Sequence, residues 1–246
     1  MQDTLDLAGL QVEVTRKAIR HVHLSVLPPD GRVRVAAPHG TALETLRLFV
    51  ISRLVWIRAQ QRKMQAQERE TPRDFLGKES HYLWGKRYLL DVRHADAAPA
   101  VNLTPRQLQL QIRPGTTPAR CAEVLEAWYR QQVRAALPAL LERWEPRLGV
   151  KAGRVFVQRM KTKWGSCTPA TGSIRLNTDL ARKPPECLEY IIVHELTHLI
   201  VPTHDARFST VLDQHLPHWR QVRERLNRLP VRHEVWEDRR ATADMP

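Results

Sequence analysis

Cysteine is scarce in this 246-residue chain. Cys121, Cys167 and Cys187 are odd in number, widely spaced and form no CxxC pair, so no disulfide framework is expected. Free thiols in a reducing, cytoplasmic setting are the plain reading. No uninterrupted apolar stretch approaches 18 residues, which excludes a membrane span of the helical kind. The first ten residues are acidic and mixed, with no basic stretch leading into an apolar run, so no secretory signal is expected. The sequence shows no internal repeat and no low-complexity segment. Acidic residues are also in short supply: 26 Asp and Glu face 39 Lys and Arg, leaving a net charge of +13. The basic residues run the length of the chain, from Arg16, Lys17 and Arg20 to Arg220, Arg223, Arg225 and Arg228. Such a balance reads either as a solvated surface or as a field that draws polyanions, nucleic acid or nucleotide among them.

A hydrophobic fraction of 42% is enough for a folded core, in one large domain or two small ones. Two period-two segments, 21–27 and 32–35, flank the turn residues Pro28-Pro29-Asp30-Gly31 and predict a hairpin. Thr41 is a candidate N-cap for one helix carrying Leu43, Leu46, Phe49, Val50, Leu54 and Trp56-Ile57 towards Gln67. The polar segment 68–74 reads as a loop. Strands follow at 81–84 and 87–92 around Gly85-Lys86, then at 101–103 and 107–112. A long helix is expected from Pro118 to Leu148, with Val124, Leu125, Trp128, Val133, Leu137, Leu140, Leu141 and Trp144 buried and a kink at Pro138. Short strands at 155–157 and 174–177 precede a helix that starts at Pro184-Pro185 and ends at Pro202. Two more helices are expected, over 206–216 and 218–229.

The helix after Pro185 carries His194-Glu195-Leu196-Thr197-His198, an HExxH motif. Four residues of α helix rise about 6 Å and turn about 400°, so the two histidines lie one turn apart on one face and can hold a single zinc ion. Glu195 follows the first histidine directly. Its carboxylate can reach a metal-activated water without ligating the metal, and take its proton. Catalytic zinc takes three protein ligands and keeps one position open. His204, six residues past His198, is the candidate third ligand; HExxHxxGxxH sites place their last histidine at the same offset. Here Val201 stands where that pattern has glycine, and Pro202 must help turn the chain. A downstream glutamate is the other option, but Glu224 and Glu234 are distant and sit among arginines.

These blocks resemble the YgjP-like metal-dependent hydrolases, a family related to zincin peptidases and sharing features with SprT-like and WLM-type proteases. The resemblance is carried by Lys163-Trp164-Gly165-Ser166-Cys167, Gly172-Ser173-Ile174-Arg175-Leu176-Asn177 and Tyr190-Ile191-Ile192-Val193 leading into HExxH. It continues in His204-Asp205-Ala206-Arg207-Phe208, Pro217-His218-Trp219, Asp30-Gly31-Arg32-Val33-Arg34-Val35 and Trp56-Ile57. Thr197 departs from the Cys or Ala more familiar there, and residues 231–246 fall outside the pattern. The resemblance implies an α+β protein with a small N-terminal sheet and helices and a gluzincin-like (minigluzincin) zinc core, with His204 as third ligand. The expected division is a β-rich region with one long helix over 1–115, a zincin-like catalytic region over 116–230, and a tail over 231–246.

The remaining candidates have plain structural readings. Trp164 and Cys167 can pack beneath the helix, and Cys167 as a fourth ligand would close the site. Lys161, Lys163, Asn177 and Tyr190 could stabilise an oxyanion or a phosphate, but none is singled out as catalytic. His215 could approach the site; His218 reads as exposed or capping. The leading expectation is a zinc metallopeptidase acting on peptide or protein, with the strand at 174–177 as an edge for an extended substrate. One alternative is hydrolysis of nucleoside triphosphates, which the resemblance also implies and the basic charge suits, although the chain has no P-loop. Another is proteolysis of nucleic-acid-associated proteins, through association of the basic surface with nucleic acid.

Overall fold

A computed structural model describes residues 2–7, 9–27, 31–66, 75 and 78–230. The expected turn at 28–30, the loop at 68–74 and the tail at 231–246 lie outside the described residues. The fold is mixed α+β, with three small sheets and six α helices among the described residues. None of these helices is long and apolar enough to cross a membrane.

The chain divides into two compact units, with the break between residues 70 and 71. The sequence expectation set that break at 115. The difference arises because the strands over 80–112 share one core with the helices that follow them.

In the first unit, strands β1 (Gln2–Leu7), β2 (Leu10–Lys17), β3 (His23–Leu27) and β4 (Arg32–Pro38) lie in the order β1-β2-β4-β3. β2 and β4 are parallel and both outer pairs antiparallel. Alternation puts Val12, Val14, Val33, Val35 and Ala37 into the core. Leu46 and Val50 of α1 (Leu43–Ile51) and Ile57 of α2 (Leu54–Ala66) join them. The sequence predicted one helix here, and β1 and β2 went unread. The helix breaks after Ile51, where the Ser52 hydroxyl donates to the Phe49 carbonyl at 2.8 Å and competes with continued helix. The N-cap is Ala42 rather than Thr41, with no capping side chain.

The second unit begins with the same topology. β5 (Ser80–Leu83), β6 (Lys86–His94), β7 (Ala100–Leu103) and β8 (Gln107–Ile112) lie in the order β5-β6-β8-β7, with β6 and β8 parallel and the outer pairs antiparallel. The repeat is one of topology. The helix α3 (Pro118–Leu148) follows, capped by the Thr117 hydroxyl, which accepts from the Arg120 N–H, and closed by Gly149 in the left-handed conformation. It runs through Pro138 without a break. Its buried stripe is Cys121, Leu125, Tyr129, Val133, Leu137, Trp144 and Leu148, so Val124, Trp128, Leu140 and Leu141 are only half-buried.

Beyond α3, β9 (Val155–Gln158), β10 (Gly165–Thr168) and β11 (Ser173–Asn177) form a sheet in the order β10-β11-β9. The strand at 174–177, expected to offer a free edge, is the central one; the edges belong to β10 and β9. A strand at β10 carries no period-two signal, and pairing with β11 makes it one. α4 (Pro185–Thr197) packs on β10 and β11, and against α3, α5 (Ala206–His215) and α6 (Trp219–Arg228). Leu188, Ile191, Ile192 and Leu196 are buried, as the sequence periodicity predicts, while Leu199, expected in the same stripe, lies past the end of α4 and is half-buried.

Candidate metal centre

The last turn of α4 ends at Thr197, so His194 lies inside the helix and His198 is its C-cap. The chain then reverses through tight backbone bonds: the Leu199 N–H donates to Leu196, and the Ile200 and Val201 N–H groups both donate to Thr197. Val201 keeps a negative φ, which is why no glycine is needed where the longer motif has one. Asp205 caps α5, accepting from the Phe208 N–H at 3.0 Å, and this bond holds its carboxyl below the usual carboxylate range. His204 immediately precedes that cap and points back at α4.

His194, His198 and His204 each offer one ring nitrogen, all within 4.8 Å of one another. The Nε2 atoms of His194 and His204 are 3.0 Å apart. Tetrahedral nitrogen ligands at about 2.0–2.1 Å from zinc lie about 3.3 Å from each other, so the cluster has the size of a metal site. Its protonation fits as well. The Nδ1 of His198 lies 3.2 Å from the Val201 carbonyl, which can only accept, so the proton sits on Nδ1 and the Nε2 lone pair is free. Burial, with help from the neighbouring histidines and Arg223, pushes His194 down to about 3; burial also lowers His198. Both rings are neutral at physiological pH, the form a metal needs.

Phe208 is the residue that sequence reasoning missed. It is 3% exposed, and its ring centroid lies 4.9, 4.7 and 4.8 Å from those of His194, His198 and His204. One apolar plane thus fixes the orientation of all three imidazoles. Its sequence signals are its place at the end of the His204–Phe208 block and its position one turn into α5, four residues after His204.

Glu195 is 4% exposed, and its Oε2 has no hydrogen-bond partner. Burial pushes its carboxyl up to about 7, opposed by the charge of Lys163. Gly165 of β10 lies directly against it. A β-carbon there would sit 2.5 Å from Glu195 Oε1 and 2.8 Å from Ile191 Cγ2. The glycine between Trp164 and Ser166 is therefore a matter of space beside Glu195 rather than of backbone freedom.

A cleft of about 440 Å³ opens over these groups. Its lining includes Lys163 and Trp164 just before β10, Gly165, Ser166 and Cys167 on β10, and Tyr190, Arg223 and Asn227 from α4 and α6. Cys167 is half-buried at the cleft but stands outside the histidine cluster. Asn177 is structural: its Nδ2 donates to the Met160 and Lys163 carbonyls at 2.8 and 2.9 Å and ties down the loop before β10. Neither His215 nor His218 lines the cleft, and His218 is an exposed N-cap. Of the rival glutamates, Glu224 is exposed and ion-paired with Arg228, and Glu234 lies outside the described residues.

The family model for the YgjP-like metallopeptidase domain matches residues 20–229, and the chain belongs to that family. No curated protein matches the chain. Among solved structures, the metallopeptidase zymogen abylysin of Pyrococcus abyssi is 25% identical, covering 36% of this chain and 89% of its own, with a TM-score of 0.34. The zymogen of Methanocaldococcus jannaschii jannalysin is 22% identical, covering 36% of this chain and 90% of its own, at 0.33. Both likenesses are local.

Proposed function

We propose that this chain is a zinc metallopeptidase with a gluzincin-like core, in which His194, His198 and His204 hold the ion and Glu195 manages the proton of the attacking water. The observation that carries this reading is the convergence of three imidazoles beside a buried carboxylate at one cleft. Zinc held there would act as a Lewis acid, polarising the scissile carbonyl and making water acidic enough to attack near neutral pH.

The chain's own residues do the rest. Phe208 and the Val201 carbonyl keep the imidazoles aimed, so little reorganisation is needed at the reacting centre. Glu195 accepts a proton from water and returns it to the leaving amine, which suits a carboxyl with few competing partners. The free edge of β10, running through Gly165, Ser166 and Cys167 along the cleft, offers backbone groups to an extended peptide. Gly165 keeps that strand close to Glu195.

Glu195→Gln should lower kcat/KM on a cleaved peptide by about 100- to 10,000-fold while one equivalent of zinc stays bound, measured by turnover and elemental analysis. Full activity in that variant would overturn the role of Glu195. Absence of stoichiometric zinc, both after purification without chelators and on reconstitution, would overturn the metal. A second reading, hydrolysis of nucleoside triphosphates, is favoured by the two cations lining the cleft, Lys163 and Arg223. A pyrophosphate-release assay run beside a peptide-library assay separates the two.

A further inference from the structure

We propose that Arg223 is the cleft's receptor for a substrate carboxylate, so that the preferred peptides carry a free C-terminus or an acidic side chain within its reach. This deepens the peptidase reading and rests on it.

Helix α6 carries four arginines, and their surroundings differ. Arg220 pairs with Asp213, Arg225 with Glu186, and Arg228 with Glu224. Arg223 has no carboxylate partner among the described residues, and it is the one of the four that lines the cleft. An exposed guanidinium facing a cleft without a partner is an offer to a ligand. Its planar fork matches a carboxylate in bidentate fashion, which a lysine cannot do.

The group is also supported from below. The Arg223 guanidinium lies 6.0 Å from the centre of the Trp219 ring. Trp219 is buried, donates from Nε1 to Asp213 at 2.8 Å, and stacks on Tyr190 with centroids 6.3 Å apart and planes 12° apart. Tyr190 in turn packs edge-on against His194 at 5.8 Å. A ladder of fixed rings thus connects Arg223 to the histidine cluster, so a substrate group bound by Arg223 is registered against the reacting centre. Among the described residues Glu195 is the only carboxylate lining the cleft, and it is buried, so an incoming anion meets little repulsion.

A carboxylate fits this arrangement better than a polyphosphate. One guanidinium fork matches one carboxylate, whereas a triphosphate calls for several cations gathered on one place, and the cleft's other cation, Lys163, comes from the loop before β10 rather than from α6.

The test uses the full-length Glu195→Gln protein loaded with zinc, so that binding is read without turnover. Three labelled hexapeptides of otherwise neutral sequence are compared by fluorescence anisotropy: one with a free C-terminus, its C-terminal amide, and an amide containing one Asp. At least one carboxylate peptide should bind about 10- to 100-fold more tightly than the neutral amide. Which one does so identifies the source of the carboxylate. Adding Arg223→Gln should erase that preference and leave binding of the neutral amide unchanged; Arg223→Lys should restore part of it. Arg220→Gln, on the same tryptophan but outside the cleft, should keep it. A preference that survives Arg223→Gln, or an equal loss for all three peptides, overturns the proposal. So does a nucleoside triphosphate that binds in an Arg223-dependent way while no carboxylate peptide is favoured. If the charge preference appears but the wild-type protein cleaves none of the peptides, the carboxylate receptor stands and the peptidase reading falls.

Discussion

In both four-stranded sheets a glycine immediately precedes the second strand. Gly9 joins β1 to β2 with φ +81°, and Gly85 joins β5 to β6 with φ +77°. A β-carbon on Gly9 would touch none of the described residues within 4 Å; one on Gly85 would meet Pro184 Cγ at 3.0 Å, at the very start of α4. The neighbouring Trp84 also holds a positive φ, and its N–H donates to the Ala181 carbonyl at 2.7 Å. Among the described residues Gly9 is therefore open, whereas Gly85 is docked against the start of α4. The cores repeat the contrast. The first sheet closes a core of its own with Leu46, Val50 and Ile57, whereas Leu90, Leu108 and Leu110 of the second share one core with Val193 and Leu196 of α4. Strand order alone does not decide which sheet supports chemistry; the surface against which the sheet packs does.

Cutting the chain should show this most strongly. Residues 71–229 expressed alone should unfold cooperatively and bind one equivalent of zinc, whereas residues 113–229, lacking β5 to β8, should not fold. Circular dichroism melts and metal titration read both outcomes, and a folded 113–229 fragment would break the distinction. Next come two fully buried leucines, Leu46 in the first unit and Leu108 in the second. Alanine at either position should cost about 2–5 kcal/mol of local stability. Only Leu108→Ala should also weaken zinc binding, so equal effects on zinc would erase the contrast. The smallest effects belong to the turns. Gly9→Ala should cost about 1 kcal/mol, the strain of an L residue at positive φ, and leave turnover unchanged. Gly85→Ala should add about 1–3 kcal/mol for displacing Pro184, and should also slow turnover. Denaturant midpoints and kcat/KM of the pair would show whether the second turn steadies the site.

Much of the α+β outline was legible because it is local. Leu188, Ile191, Ile192 and Leu196 recur with helical period and are buried together. Other features left no local trace. Gly165-Ser166-Cys167-Thr168 does not alternate, and it is a strand only because β11 lies beside it. Tyr129 and Cys121 took core positions expected of Trp128 and Val124, because the direction from which the short 3-10 turn Thr178–Arg182 and the strands β7 and β8 approach α3 selects its buried stripe. The break between units moved from 115 to 70 for a related reason: composition shifts along the chain do not report which segments share a core.

The sequence by itself determined that His194 and His198 share a helix face with Glu195 between them, since bond geometry within one helix sets that spacing whatever surrounds it. It also marked His204 by its offset. Only the tertiary structure decided that His204 returns to within 3.0 Å of His194, that Phe208 backs all three rings, that Gly165 presses against Glu195, and that Arg223 faces the cleft. Those contacts join separate elements across reversals of the chain. They exist only when loops close and cores pack, and that depends on the whole unit rather than on any stretch of residues.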